Sequence, residues 1–414
     1  MAGNSQLRRS GAKLIAVIVL ILCIIHSPAS AIGPFEIADS DSSAILRFQL
    51  AGQFQTLWES RDRGDDSGKE NSVYMKVRRV RPTLMVTVPD YKTSFKLHLS
   101  AAPGAVELMD LYFDSELLSF FAFRIGQYKI PFTRYRIQSF QRLTLVDWAI
   151  VTKYFGAERQ MGIAVHNGYE KPPRLAYVAG IFNGVNARAS HTSGLASLFG
   201  EKVINRSDLS ASSPRSEFHP ELVFHFAYNA NSINVRSDSD AGGGGLRYSI
   251  ASSIAWDIDP TEYHDLALRA AQEFLVKYEG FSVMGAGYLG FSGIGESLRS
   301  RLAFSGLLIQ SAYRTTGRVE FSLRYAHVKI EDAIADEAFN RAQSIIAETE
   351  DDAIISQYID AGMLLAEHEG TFGFNIYLDQ HNLKLQNDFG FTRYERRDED
   401  RTDYLIRSQL QLAF

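Results

Sequence analysis

Five of the ten histidines, His98, His166, His225, His327 and His381, fall in stretches that read as strands, and they are the first residues to test for chemistry. They are scattered singly. No H-E-x-x-H pair, no G-x-S-x-G serine and no paired-carboxylate motif accompanies them. Gly242 to Gly245 form a four-glycine turn, but the Lys-Ser/Thr of a phosphate-cradling loop is missing. The single cysteine, Cys23, sits in an N-terminal apolar run, so a chain cut beyond it has no thiol or disulfide chemistry. These residue types point to no enzyme, no metal and no cofactor.

What remains is positive charge in unusual places. Residues 133–160 carry Arg134, Arg136, Arg142, Lys153 and Arg159 against Asp147 and Glu158. The same stretch holds Phe140, Leu143, Leu145, Val146, Trp148, Ile150 and Val151. A loop hanging in water has no use for so many apolar side chains. It is expected either to fold against the inner wall of a barrel and narrow it, or to cover a subunit interface or the mouth. The polar faces of the clearly alternating segments carry Arg47, Arg79, Arg81, Lys92, Lys96, Arg247, Arg269, Lys277, Arg318, Arg324 and Arg407, against Glu221, Asp265, Glu273, Glu320 and Asp379. Arg318 and Glu320 are placed to form a wall ion pair. An excess of positive charge around a pore favours anions; the alternative is a solvated lumen without selectivity. Lys76 and Arg78 run out of phase with Arg79 and Arg81 and are expected to snorkel to lipid headgroups. The remaining loops are acidic. Residues 331–352 hold eight carboxylates against Arg341, a solvated face with no metal-ligand spacing.

The elements behind these faces have a period of two. Leu46, Phe48, Leu50 and Phe54 alternate with Arg47, Gln49, Gln53 and Gln55. The split recurs around Phe224, Ile250, Leu323 and Phe374, which places one face against apolar surroundings and the other against water. The segments run to ten residues or more, longer than ordinary soluble strands. Sixteen are expected, at about 45–58, 73–88, 91–100, 105–114, 120–132, 160–168, 174–184, 219–229, 245–256, 264–278, 281–291, 301–314, 318–329, 355–367, 371–385 and 404–414. Short connections such as Pro89-Asp90, Ser115 to Leu118, Glu279-Gly280, Thr315 to Gly317 and Glu369-Gly370 alternate with long ones at 59–72, 133–159, 185–218, 330–354 and 386–403; only the connection near 230–244 is long for its side. The chain ends with Tyr404, Ile406, Leu410, Leu412 and Phe414 on one face, and insertion of the barrel is expected to depend on Phe414 and the barrel-assembly machinery. All this predicts an all-β, transmembrane, antiparallel barrel of sixteen strands over 45–414. Residues 32–44 form a short periplasmic segment before it.

Arg8, Arg9 and Lys13, the apolar run Leu14 to Ile25 and Ala29-Ser30-Ala31 read as a cleaved secretory signal over residues 1–31. Its loss takes the net charge from −5 to −8. A chain this acidic is no general nucleic-acid binder.

Four motifs carry a family resemblance. Phe123-Arg-Ile-Gly-Gln-Tyr-Lys-Ile-Pro-Phe132, Arg78-Arg-Val-Arg-Pro-Thr-Leu84, Glu158-Arg-Gln-Met-Gly162 and Gly180-Ile-Phe-Asn-Gly184 stand in the order seen in the phosphate-selective porin O and P family, which this chain resembles. The resemblance implies an outer-membrane, trimeric, sixteen-stranded diffusion channel for small hydrophilic solutes, preferring anions, with its third loop folded inward among outer-membrane lipid and lipopolysaccharide. By motif it marks Lys129 and the arginines of residues 133–160 as anion contacts. The competing expectation is a structural barrel that sheathes a partner protein.

Overall fold

The computed structural model describes residues 34–39, 43–63, 68–102, 104–156, 159–184, 195, 198–200, 220–258, 266–293, 295–315 and 317–414. The expected signal over 1–31, most of loop 185–218, Glu158 and Asp265 lie outside the described residues.

Seventeen strands form one sheet. They are β1 (Phe35–Ala38), β2 (Ile45–Asp62), β3 (Lys69–Val88), β4 (Thr93–Ser100), β5 (Glu107–Leu118), β6 (Phe121–Lys129), β7 (Arg159–His166), β8 (Leu175–Phe182), β9 (Glu221–Ala230), β10 (Arg247–Asp257), β11 (Leu266–Tyr278), β12 (Phe281–Ser292), β13 (Leu302–Arg314), β14 (Val319–Ile330), β15 (Leu364–Asp379), β16 (Leu383–Arg396) and β17 (Arg401–Ala413). Strands β2 to β17 each pair antiparallel with the next, and β17 returns to β2, so sixteen strands close a barrel. Main-chain atoms of Phe414 and Leu50 exchange two hydrogen bonds, of 2.7 and 3.0 Å, at the seam. Strand β1 takes the part of β2 that β17 does not reach, pairing Phe35 with Phe48 and Ala38 with Ile45.

Closure follows from the alternation. Phe224, Phe226, Ile250, Trp256, Leu323 and Phe372 are exposed on the outside, while Glu221, Ser249, Arg324 and Asn375 are buried inside. A sheet with apolar side chains outward and polar ones inward is stable only with lipid around it and every edge paired.

At the end that holds the termini, five connections are short: 89–92, 119–120, 279–280, 315–318 and 380–382. The other two, 167–174 and 231–246, are longer and bury Tyr169, Val235, Ser237 and Asp238. At the opposite end, residues 331–363 form two helices, Asp332–Ala347 and Asp352–Tyr358. The second is capped by Asp351, whose side chain accepts from the Ala353 N–H at 2.8 Å.

Several expected boundaries are corrected. The strand expected at 355–367 begins at Leu364, after a helix. Glu369-Gly370 is no turn but the middle of β15; the turn lies at 380–382, and β16 and β17 occupy most of the expected loop 386–403. The glycine misled because it looks like a turn residue. Here it makes room for a ring: a Cβ on Gly370 would sit 2.3 Å from Phe391 Cε1. Strand β5 runs on to Leu118, moving its turn to Ser119-Phe120.

Lys76 and Arg78 do not reach for lipid. A bulge between the Gln53 and Phe54 pairings of β2 with β3 shifts the phase. Lys76 pairs with inward-facing Gln55, and the Arg78 guanidinium forms a 2.7 Å ion pair with Asp147.

Candidate functional site: a narrowed, basic lumen

The third connection of the long-loop end, residues 130–158, contains short helices at Arg134–Ile137 and Val151–Phe155. Ile130, Tyr135, Leu143, Val146, Val151 and Phe155 are all 2% exposed or less. Polar side chains on the inner faces of β11 to β16 bind its backbone. Glu273 accepts from the Arg134 and Tyr135 N–H groups at 2.7 and 3.1 Å. Asn375 Nδ2 donates to the Thr144 carbonyl, and Lys384 and Gln386 donate to the Leu143 carbonyl. Asp388 accepts from the Val146 N–H and Glu369 from the Ile150 N–H. Wall side chains thus satisfy main-chain groups that would otherwise be stranded.

On its other side the loop meets β2 and β3 through charge. Asp147 pairs with Arg78 at 2.7 Å and Arg79 at 3.0 Å. Burial alone would raise the Asp147 carboxyl; the guanidiniums of Arg79, Arg78 and Arg407 outweigh it and hold the group well below the usual carboxylate range. Trp148 lies under Arg136, Lys129 and Arg79, at 4.7, 5.1 and 5.4 Å from its ring.

Three of the motifs meet here. Gly162 lies beneath Phe182, whose Cδ1 would be 2.4 Å from a Cβ at that glycine. The Phe182 ring packs edge-on against Tyr128, with centroids 5.5 Å apart. The R-x-x-G, G-I-F-N-G and G-Q-Y-K segments therefore build one corner of the wall beside the loop.

The expected site residues separate into groups. Lys129, Arg142 and Arg159 line a cavity of about 1060 Å³ on the terminal side of the loop, together with Lys96. The Lys129 ammonium donates to the carbonyls of Arg136 and Gln138 at 3.0 and 2.9 Å. Arg159 pairs with Asp110 at 2.6 Å. Arg142 is exposed. Arg134, by contrast, does not line that cavity; it is 4% exposed and faces Met284 and Asp238. Lys153 pairs with Glu367. Arg79, Arg81, Arg247, Arg269, Lys277, Arg324 and Arg407 face inward; Arg324 pairs with Glu369, Arg407 with Asp388, Arg269 with Glu221 and Arg247 with Asp240. Three residues are corrected to the rim. Arg47 pairs with Glu36 of β1, Lys92 sits in the turn with Glu116, and Arg318 is exposed in its turn. Glu320 bonds Asn375 and Tyr377 rather than Arg318.

More acids face inward than the alternation alone marks. Asp110, Asp114, Glu367, Glu369 and Asp388 also face inward and neutralise much of the basic excess. What survives is concentrated in the 1060 Å³ cavity. Lys96, Lys129, Arg142, Arg159, Arg124, Lys171, Arg174 and Arg236 line it against only Asp110 and Glu170.

Arg124 lies within the Phe123 to Phe132 motif. Its guanidinium lies 3.8 Å from the Tyr169 ring and 4.0 Å from the Tyr112 ring, and pairs with Asp114 and Glu170. Burial would raise the Glu170 carboxyl, but Arg124 overrides it and brings it down to about 2.

Residues 48–198 match the phosphate-selective porin O and P family. No curated protein sequence matches the chain. Among solved structures, Pseudomonas putida OprB is similar at TM-score 0.58 and 9% identity, over 89% of this chain and 94% of that one. The outer membrane channel DcaP of Acinetobacter baumannii is similar at 0.54 and 11%, over 91% and 100%. The anion-selective porin from Comamonas acidovorans is similar at 0.51 and 11%, over 90% and 100%. At such identities the likeness is one of fold. The chain is a bacterial outer-membrane barrel of porin fold, and its residues 48–198 carry the pattern of the phosphate-selective porin O and P family.

Proposed function

We propose that this barrel lets small hydrophilic solutes diffuse passively across the outer membrane and favours anions. One observation carries the reading: eight basic side chains and two acidic ones line the 1060 Å³ cavity beside the inward loop. A confined cation acts on a passing ion with little screening. The name of the matched family and that of the Comamonas porin support the same sign of preference. Small oxyanions such as phosphate are the class to test first.

Reversal potential in a salt gradient across a planar bilayer is the measurement. The wild type is expected to prefer anions. Arg142 is exposed in the cavity, so Arg142→Gln removes charge from the solute's path without stranding a partner. A unit charge 4 Å from an ion contributes about 1 kcal/mol in a water-like medium. Its loss weakens anion attraction and relieves cation repulsion by that amount each, so the anion-to-cation permeability ratio should fall by up to about thirty-fold. A cation-selective wild type would overturn the anion reading, and a silent bilayer would favour a sheathing barrel.

The basic, apolar and A-x-A pattern of residues 1–31 supports export through a cleaved signal. Mass spectrometry of the native protein should find Ile32 at the N-terminus; a retained Met1 would refute this.

A further inference from the structure

A second cavity, of about 30 Å³, lies between the start of the inward loop and the 231–246 segment. That is room for one occupant of water or halide size. Arg134, His225, Asn229, Arg236 and Ser249 line it, with no aspartate or glutamate. Its neutral polar side chains already have partners; the Tyr169 and Tyr177 hydroxyls donate to the Lys129 and Phe120 carbonyls. His225 Nδ1 lies 2.8 Å from Ser253 Oγ, Ser249 Oγ donates to Asn229 Oδ1 at 2.8 Å, and Asn229 Nδ2 donates to the Pro173 carbonyl at 2.7 Å.

The two guanidiniums are less well served. Arg134 Nη2 faces the Met284 sulfur at 3.7 Å. Its Nη1 lies 3.8 Å from Asp238 Oδ1, outside hydrogen-bond reach, and the Asp238 carboxylate already accepts from Gln138 at 2.8 Å and Gln310 at 3.2 Å. Glu273 is occupied by the Arg134 and Tyr135 N–H groups. Arg236 gives Nη2 to the Tyr169 carbonyl. Among the described residues, Arg134 Nη1 and Arg236 Nε are sealed from solvent and have no acceptor. Burial pushes the Arg236 guanidinium below its ordinary value; Glu170 and Tyr169 oppose the shift, and Arg124 and Arg134 add to it. Native proteins rarely leave such donors unpaired, and a buried cation calls for a counter-charge more than for a neutral acceptor.

We propose that one small monovalent inorganic anion, of chloride size, binds between Arg134 and Arg236. It ties the inward loop to the 231–246 segment and is a fixed part of the fold rather than a solute in transit. The inference is independent of the permeability preference proposed above: the barrel can hold this ion whatever it conducts.

The test uses the full-length, detergent-purified barrel. Heat unfolding is compared in sodium chloride and in sodium gluconate at equal ionic strength, gluconate being too large for the cavity. The midpoint should be several degrees higher in chloride, and the difference should vanish in Arg236→Gln. Crystals of the wild type grown in sodium bromide should show an anomalous peak between the two guanidiniums; this measurement stands even if the variant does not fold. Equal midpoints for the wild type in the two salts, or a cavity holding water alone in bromide, would overturn the proposal.

Discussion

In an Arg324→Met variant, single-channel conductance rises several-fold and the open level becomes noisy. Arg324 is 2% exposed. It pairs with Glu369 and donates to the Asp147 carbonyl at 2.8 Å and the Tyr135 hydroxyl at 3.2 Å. Glu369 in turn accepts from the Ile150 N–H. One side chain thus holds the inward loop at three points, directly or through its partner. Removing it leaves a buried carboxylate uncompensated, which costs about 3–5 kcal/mol. At tenfold per 1.4 kcal/mol, the balance between docked and released loop shifts by roughly a hundred-fold or more. Adding Glu369→Leu removes the stranded charge, so the double variant should regain part of the wild-type conductance; the Ile150 N–H still lacks its acceptor. The heat-modifiable folded band should persist in both. Unchanged conductance in Arg324→Met would show that the loop is not held through this pair.

Loss of Phe414 should cut outer-membrane insertion by roughly tenfold or more, the equivalent of about 1.4 kcal/mol. Its main-chain N–H and carbonyl both bond Leu50, and without them two backbone groups at the seam lose their partners. In or near lipid each such group costs several kcal/mol, roughly. Phe414→Asp keeps those main-chain bonds but removes the apolar side chain, which is 44% exposed on the outer face. The pair of variants separates backbone closure from side-chain recognition. Membrane fractionation with a heat-modifiability gel gives the answer, with synthesis and export as internal controls. Normal insertion of the deletion variant would sink the assignment of this residue to the barrel terminus.

The alternation of Leu222, Phe224 and Phe226 against Glu221 and His225 is the kind of signal a sequence shows plainly, because lipid and lumen impose opposite demands on neighbouring residues. Strand number and polarity were legible for that reason. Where the interior is filled, the contrast fades. In β15, Glu367 and Glu369 face inward to hold the loop, and Gly370 sits under Phe391, so the stretch mimicked a polar turn. The helix Asp332–Ala347 was hidden by its acids, although Ile334, Ala335, Ala338 and Ala342 form a buried stripe at helical spacing that points to it. The bulge at Arg78 has no signature in a single sequence, and it reverses the facing of two cations. The apolar content of residues 133–160 marked that loop as packed. Which of its arginines meet solvent depended on wall partners as distant in the chain as Glu273 and Met284, and no local pattern encodes those.

The charges inside this barrel fall into two populations that salt treats differently. Arg324 with Glu369 and Arg407 with Asp388 are shielded from the electrolyte by the protein around them. Arg142, Lys171 and Arg174 are exposed to it. The Debye length shrinks from about 10 Å at 0.1 M to about 3 Å at 1 M. Concentrated electrolyte therefore mutes the second population and leaves the first nearly untouched. Recordings at high salt report the dimensions of the passage, recordings at low salt report its charge, and the difference between them measures selectivity without any mutation. Under the proposed function, the same division lets a change in salinity retune which ions pass while the aperture keeps its size.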